Sequence, residues 1–393
     1  MADGISKLLI AKKETVWGTK ATASSAQLYP RTQGVFQISK GSYQSNNIRA
    51  SQQLGDSRHA SSVAKGSLSA DLQCGAFSQF MAAMMRKDFA STVTTGAVIT
   101  ISIAAANPSI VRSSGSFITD GFKVGMLLSP TGIAATADNA LAVITAVAAL
   151  NMTVFKLNGS AYTTAAAGAS ITIVAKKSSF TPQTAHTDDS FTVEEFLADI
   201  STSFITRGQQ VNSLSIDAKP NSMATIALDF MGKDGDASTG SQYFTSPTAV
   251  PSTGNMSGSS GQLIIGGAVN SRVTSFNIKC DAGISQEFTV FTAGAGAKSR
   301  GQMLVSGSIS FILDDGVLAD SFTNETETNM FYTFTDTQGN ALTFAMPRAK
   351  LNDVQRDDKL GVTTLTASFV ALEYIGTDSG TLPTTLIITD STL

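Results

Sequence analysis

Two histidines, two cysteines and a few paired acids are the side chains of this 393-residue sequence whose type and spacing could carry chemistry. His186 precedes Asp188-Asp189. A metal site wants a fourth ligand beyond these three, and none follows. His59 lies in a polar run, SQQLGDSRHASSV (51–63), with no nucleophile or acid spaced for a triad. The expectation is a solvated residue at an assembly contact. Gly294-Ala295-Gly296-Ala297-Lys298-Ser299 has the glycines and lysine of a phosphate loop. It lacks the glycine before the lysine and lies between strand signals instead of opening a helix. Asp234-Gly235-Asp236 begins like a calcium loop without its distal glutamate. Glu194-Glu195 and Asp357-Asp358 are adjacent acids, which on a strand face opposite ways and make poor acid/base partners. Cys74 and Cys280 occupy unrelated positions and read as two reduced, partly buried thiols, with no support for a disulfide. No enzyme, metal or cofactor is expected.

The elements around these residues are extended. Charged residues make up 15% of the chain, hydrophobic residues 42%, and the net charge is −3 from 27 basic and 30 acidic side chains. Low charge with many β-branched and hydroxyl residues suits sheets and repeating assembly surfaces, and argues against disorder. No cluster of Lys and Arg offers a nucleic-acid footprint. Leu8-Leu9-Ile10-Ala11 is too short for a signal segment, and the apolar run 140–150 falls short of the roughly 20 residues that span a bilayer. The chain is expected to be soluble in the cytoplasm before assembly, with no membrane partner.

A short pattern occurs twice. Phe36-Gln37-Ile38-Ser39-Lys40 is answered by Phe276-Asn277-Ile278-Lys279-Cys280, GSLSADL from Gly66 by GSISFIL from Gly307, and Arg58 by Arg300, at an offset of about 240. Val211-Asn212-Ser213-Leu214 is answered by Leu351-Asn352-Asp353-Val354, and Ile226, Leu228 and Phe230 by Leu365, Ala367 and Phe369, at about 140. One duplicated β domain, with about 100 extra residues inside the first copy, accounts for both spacings.

The division expected is an N-terminal arm with one short strand (1–34), a first domain (35–94 and 181–232), an inserted block (95–180), a linker ending in a strand (233–271), a second domain (272–375) and an extension (376–393). Ser25-Ala26-Gln27-Leu28 is echoed by Ser260-Gly261-Gln262-Leu263, which puts part of the arm in the repeat. Leu68, Ala70 and Leu72 alternate with Ser67, Ser69 and Asp71, the period of a half-buried strand. Ile309, Phe311 and Leu313 alternate with Ser308, Ser310 and Ile312. Stretches 51–63 and 292–303 read as long hairpin loops, a length usually reserved for function. Phe77, Phe80, Met81, Met84 and Met85 have helical spacing over 77–89, and 317–331 is helix-compatible. Strands are expected at 211–217 and 223–230 around a Lys219-Pro220-Asn221-Ser222 turn. Within the insert, runs at 98–103, 126–128, 142–147, 152–157 and 171–174 predict a small all-β module displayed outward. Leu386-Ile387-Ile388 predicts a strand able to join a neighbouring sheet edge.

The stretch YPRTQGVFQISKGSYQSNNIRASQQLGDSRHASSVAKGSLSADL (29–72) resembles the major tail tube proteins of long-tailed, non-contractile bacteriophages. So do residues 191–199 and VNSLSIDAKPNSMATIALDFMGKD (211–234), and the insert from GFKVGMLL (121–128) resembles modules carried by some members. The resemblance implies a mainly β fold: two tandem tube-type β-sandwich or barrel domains, each with a flanking helix, plus the inserted β domain. It implies six tube domains per ring, one sheet of each joining its neighbours into a barrel. Two domains per chain then give trimeric rings with pseudo-sixfold symmetry. The long loops are expected to reach the adjacent ring, with Gln53, Asp56, Arg58, His59, Lys298 and Arg300 as contacts. Ser67, Ser69, Asp71, Ser308, Ser310, Thr225, Asp229, Thr364 and Ser368 are expected to line a lumen through which DNA passes unbound. Tail tip, tape-measure and tail terminator proteins are the implied partners, and the virion tail the implied location. A different class of reading, a virion decoration protein or adhesin binding a receptor or glycan through 95–180, has only the insert to support it.

Overall fold

The computed structural model describes residues 3–393 apart from 96–99, 105–108, 169–170, 293, 314–316 and 358–360. The first strands are β1 (Lys7–Lys13), β2 (Gln27–Leu28), β3 (Gln33–Gln44) and β4 (Ser57–Asp71), followed by helix α1 (Ser78–Met85). The inserted region carries β5 (Val93–Thr94), β6 (Ile101–Ala104), β7 (Ser109–Arg112), the turn-length helix α2 (Phe117–Asp120), β8 (Leu127–Thr131), β9 (Ala142–Val147), β10 (Asn151–Lys156), β11 (Ala165–Gly168) and β12 (Thr172–Ala175). Then come β13 (Ser178–Phe180), β14 (Phe191–Leu197), β15 (Thr202–Ala218), β16 (Thr225–Gly232) and β17 (Asp234–Gly235). The rest comprises β18 (Gly261–Ile265), β19 (Ala268–Asn270), β20 (Val273–Asp281), β21 (Ile284–Glu287), β22 (Ala297–Arg300), β23 (Leu304–Ile312), helix α3 (Val317–Thr323), β24 (Glu327–Thr335), β25 (Ala341–Asp357), β26 (Thr364–Ala371) and β27 (Ile387–Asp390).

Eight strands make one continuous antiparallel sheet in the order β3-β4-β16-β15-β20-β23-β26-β25. Its inner face buries Leu68, Ala70, Phe230, Leu214, Ile216, Ile278, Ile309 and Phe369 in one large core. A second layer closes that core: β1, β14 and the first half of β15 on one side, β18, β24 and the first half of β25 on the other. Both β15 and β25 are 17 residues long and pass through both layers. Gly208 makes the bend in β15: its φ is +69°, and a Cβ there would lie 2.7 Å from Lys233 Cβ. The matching bend in β25 holds Pro347, which lacks an N–H and is tolerated where the ladder is interrupted.

The ladders reveal a shared plan. The β14–β15 pair slips between Phe191 and Val193, opposite Arg207-Gly208; the β24–β25 pair slips between Thr328 and Met330, opposite Pro347-Arg348. The β15–β16 pair bulges at Asn212, and the β25–β26 pair at Asn352. Phe230 stands beside Gly66 as Phe369 stands beside Gly307. On that rung, however, Phe36 pairs with Gly66 and Ile278 with Gly307, so Phe36 is the counterpart of Ile278, not of Phe276. The two-residue slip leaves the faces unchanged because side chains alternate with period two. Leu263 likewise corresponds to Leu9, through Tyr332 and Glu195, and not to Leu28.

Helix α1 plugs the first unit. Phe80 stacks on Tyr29 at 4.4 Å and meets Phe191 and Phe230 edge-on at 4.9 and 5.1 Å. The helix ends at Arg86, whose φ of +59° is left-handed, before the 89 suggested by periodicity. Its counterpart α3 is shorter than expected: from Glu327 the chain is a strand, since the aromatic and β-branched run ETNMFYTFT packs on both faces. Tyr332 and Phe334 reach the main core, whereas Phe331 points the other way.

What Phe331 meets is the insert. Strands β5–β12 form a separate eight-stranded sheet around Phe117, Phe122, Ile144, Met152 and Val154. This core is continuous with Ile264, Phe331, Ala341, Ala345 and Ile387 on the outer face of the second unit. Val124 N donates to Gly380 O at 2.9 Å, and a Cβ on Gly125 would sit 2.5 Å from Ala345 Cβ. The insert therefore lies on the side of the core away from the eight-strand sheet, seated on the second unit. Of its expected first run, residues 98–99 lie outside the described residues.

The arm and tail are tied into the sheets. Strand β1 pairs with β14 over seven residues and with β2, giving the arm two strands instead of one. The tail strand β27 joins β25 and β13 of its own chain, with all four residues buried.

Candidate assembly interface

Alternation sends one side of every strand in the eight-strand sheet away from the core. Asp71, Thr225, Asp217, Asn277, Ser308, Ser368 and Asp353 stand in one row across seven strands. Ser67 pairs with Asp229, Ser310 with Thr366, and Thr364 with Asp357. Ser69 follows Ser67 on the same side of β4. All nine residues expected on a wet surface thus share one face. Side chains there bond to each other: Ser213 Oγ donates to Asp229 Oδ2 at 2.9 Å, and Asn277 Nδ2 to Asp217 Oδ1 at 2.8 Å. Its charged members are Lys65, Lys279, Lys350, Asp71, Asp217, Asp229, Asp281, Asp353 and Asp357, so acids outnumber bases.

The junction between the two units is a strand pair. Residues Ser213 to Ala218 of β15 pair with Asp281 to Phe276 of β20, and the apolar side chains Leu214, Ile216, Ile278 and Cys280 are fully buried there. Among the described residues, the equivalent outer edges at the two ends of the sheet pair with no further strand, although at the start of β3 Lys7 Nζ donates to Gly34 O and Glu195 holds the Phe36 amide. Beyond Lys350, β25 is paired on one side only, to β26, and β3 is paired only to β4. Residues along β3 from Gln37 onward are exposed, including Ile38 at 37%. An open edge of this length on a hydrophobic sheet invites another strand.

The polar stretches read as loops are hairpins. Strand β4 begins at Ser57, so Arg58 and His59 lie on a ladder, and the loop is 45–56, holding Gln53 and Asp56. The difference arises because small hydroxyl residues alternate there as well as apolar ones do, and a hairpin needs no core on either face. Strands β21 and β22 likewise carry Lys298 and Arg300. Residue 293 of that loop lies outside the described residues.

Lys298 and Arg300 do not stand free for a neighbour. Lys298 Nζ lies 2.6 Å from Asp188 Oδ2 and Arg300 Nε 3.3 Å from Oδ1, while Gln210 Nε2 donates to Oδ1 at 2.9 Å. Trp17 sits between Lys233 and Lys298, whose ammonium groups are 4.7 and 5.1 Å from the ring centre. Burial pushes the Asp188 carboxyl up, but hydrogen bonds from Lys298 and Gln210 and the two cationic charges outweigh it and hold it below the ordinary carboxylate range. Burial draws the Lys298 ammonium down against the pull of Asp188. The two partners thus lean opposite ways, and the 2.6 Å contact decides for the ionised pair at neutral pH. A depressed carboxylate stabilises the fold above its unfolded pKa of about 4 and loses that contribution as pH falls through the lower folded value. Asp188 is 46% exposed, so the contribution is discounted to about 1 kcal/mol. Asp188→Asn is expected to raise hydrogen exchange of amides 284–300 about fivefold at pH 7, with no change elsewhere in the sheet.

The other chemical candidates are structural. Glu194 is fully buried, accepting from Ser203 Oγ at 2.6 Å and from the Tyr243 and Phe244 amides at 2.6 and 2.8 Å; Glu195 faces away and pairs with Lys7. Asp234 and Asp236 pair with Arg207, and Asp236 with Lys20. Cys74 and Cys280 are free and buried, and burial pushes the Cys280 thiol up to about 12. His59 and His186 are exposed. Asp358 lies outside the described residues. No cluster of metal-ligating side chains occurs among the described residues, and none of their helices is long and apolar enough to cross a membrane. The anchoring role of Asp188 and Trp17 was missed by sequence reasoning, because each meets a partner more than a hundred residues away and carries no local signal.

Among curated proteins none matches the chain at a significant level. The family described as phage tail tube protein matches residues 4–376. That span takes in the sheet with its polar face, both open edges, both hairpins and the insert. A mainly antiparallel β subunit with two open sheet edges suits a tube, and the chain belongs to the phage tail tube protein family.

Proposed function

We propose that three chains close each ring of the tube, and that stacked rings form the conduit for DNA delivery. The observation that carries this reading is the β15–β20 junction, whose two edges recur unpaired as β25 and β3. Transferring its register rung by rung sets Asp353 opposite Ser39 of the next chain, Val354 opposite Ile38, Gln355 opposite Gln37 and Arg356 opposite Phe36. A head-to-tail contact of this kind closes only at a fixed rotation, and a junction built on a repeat already makes half of that turn inside the chain. Eight strands per chain then give roughly 24 in the barrel. At about 4.8 Å spacing and about 40° tilt, its backbone diameter is about 48 Å, ample for a duplex.

The polar face lines this lumen. Small hydroxyls and an excess of aspartate repel phosphate, so DNA slides without the counterion release that drives binding. Hairpin tips, with Gln53 and Asp56 in the first, reach the adjacent ring. Arg58, His59, Lys298 and Arg300, at the hairpin bases, serve contacts between units. Tip, tape-measure and terminator proteins meet the tube at its ends, and assembly takes place in the host cytoplasm.

End-on electron microscopy of assembled tubes tests the reading. An inner wall of six lobes with three outer densities is expected, because the insert occurs once per chain. Six outer densities, or six chains per ring by mass, would sink it.

A further inference from the structure

Two hairpins of nearly equal length leave the ends of β3 and β20. Ser39 pairs with Val63 and Asp281 with Leu304 on corresponding rungs, which frames residues 40–62 and 282–303, the second shorter by one. Their fates in the chain differ.

Hairpin 282–303 folds back onto the first unit. The bulge residue Asn212 holds its base, its O and Oδ1 accepting from the Ala282 and Ile284 amides at 2.8 and 2.9 Å. Gln286 donates to Gly232 O, and Ser61 Oγ to Thr292 O at 3.5 Å. Asp188 takes Lys298 and Arg300. Hairpin 40–62 has no such seat. Its residues are exposed almost throughout, with Tyr43, Ile48 and Leu54 at 58%, 102% and 59%.

The ladders translate the occupied seat onto the second unit. Ser61 and Ser62 become Gln302 and Met303, Gly232 and Lys233 become Ala371 and Leu372. At those translated positions lies an open groove of about 650 Å³, lined by Gln302, Met303, Leu304 and residues 370–373. Asp188 becomes Glu325, since each lies five residues before a strand residue on the same rung, Val193 or Met330. Gln210, which bonds Asp188, becomes Lys350, and Lys350 Nζ lies 2.6 Å from Glu325. The arrangement around the anchoring acid is therefore duplicated too.

We propose that the groove receives the base of hairpin 40–62 of a second copy of this chain in the same ring, with that copy's His59 at Glu325. The proposal rests on ring closure through β25 and β3 and adds a second contact to it. In the ladders Arg300 pairs with Ile284 as His59 pairs with Ser42, so His59 is the counterpart of Arg300, and Arg58 that of Ser299. His59 is exposed, and the Glu325 side chain is 76% exposed. The apolar character matches as well: the groove has Met303 and Leu372 where the occupied seat has Ser62 and Lys233, and the base of hairpin 40–62 brings Tyr43. A hinge is in place. Gly283, at φ +57°, turns the second hairpin onto its seat, and Gly41 stands at the corresponding position, where the β3–β4 register already shifts.

The test introduces His59→Cys and Glu325→Cys together into the full chain, assembles it and oxidises it. Cys74 and Cys280 are fully buried and give no background. The expected result is cross-linked species that stop at three chains. A ladder running beyond three places the hairpin in the neighbouring ring and overturns the proposal, as does the absence of cross-links in tubes that still show three chains per ring. In parallel, His59→Glu alone is expected to lower the assembled fraction at least tenfold, and adding Glu325→Arg to restore it. Wild-type assembly by His59→Glu, or no rescue in the double, also overturns it. Six chains per ring would instead remove the underlying ring reading, so the two failures are distinguishable.

Discussion

Ile38→Asp is expected to leave a folded chain that forms neither rings nor tubes. In the isolated chain Ile38 is 37% exposed on the open edge of β3, where a carboxylate keeps much of its water. Its counterpart at the internal junction is Cys280, fully buried and paired with Leu214. Ring closure in the transferred register would bury residue 38 against Val354 with no cation or donor opposite it. An unpaired buried carboxylate costs several kcal/mol. Even about 2.8 kcal/mol weakens each contact a hundredfold, and a ring needs three at once. Sedimentation velocity under conditions where the wild type forms tubes should show only single chains, with an unchanged circular dichroism spectrum. Ile38→Val should assemble normally. Tubes formed by the aspartate variant would mean that β3 is not the edge that closes the ring.

Lys156→Met is expected to destabilise the insert by about 3–5 kcal/mol, the usual cost of removing one partner of a buried ion pair. Lys156 Nζ lies 2.6 Å from Asp138 Oδ1 and 2.7 Å from Ala161 O, and both charged side chains are 1% exposed. Asp138 Oδ2 also accepts from the Thr163 amide at 2.9 Å. Methionine fills the space but leaves the carboxylate buried without its cation. Thermal unfolding should then show an early transition for the insert ahead of the tube sheets. Because the insert covers Ile264, Phe331 and Ile387, its melting should expose apolar surface and promote aggregation. Lys156→Met combined with Asp138→Leu should recover most of the loss, since removing both charges also removes the desolvation problem. An unshifted melting profile in the single variant would show that the pair is not buried in solution.

Much of the architecture was legible in local pattern. Ser67, Ser69 and Asp71 against Leu68, Ala70 and Leu72 specify a strand with one wet face wherever that strand goes. The Asn212 and Asn352 echoes pointed at what the ladders show to be matching bulges. Strands buried on both sides were harder. In 327–335 and 341–346 the alternation disappears because one face meets the core and the other meets the insert, and a continuous apolar run resembles a helix segment as easily as a strand. The hairpin bases were read as loops for the converse reason, since strands with two solvated faces carry no apolar period.

Period-two alternation and a repeated segment depend only on neighbouring residues, so the sequence alone pointed to a mainly β chain with a repeated pattern and a polar sheet face. Strand edges all carry the same backbone donors and acceptors, whatever the side chains. Which edge is satisfied inside the chain, at β15 and β20, and which is left open, at β25 and β3, was therefore decided by tertiary structure. The same holds for Asp188, a lone acid in a loop until folding carries Lys298 and Arg300 across more than a hundred residues to reach it.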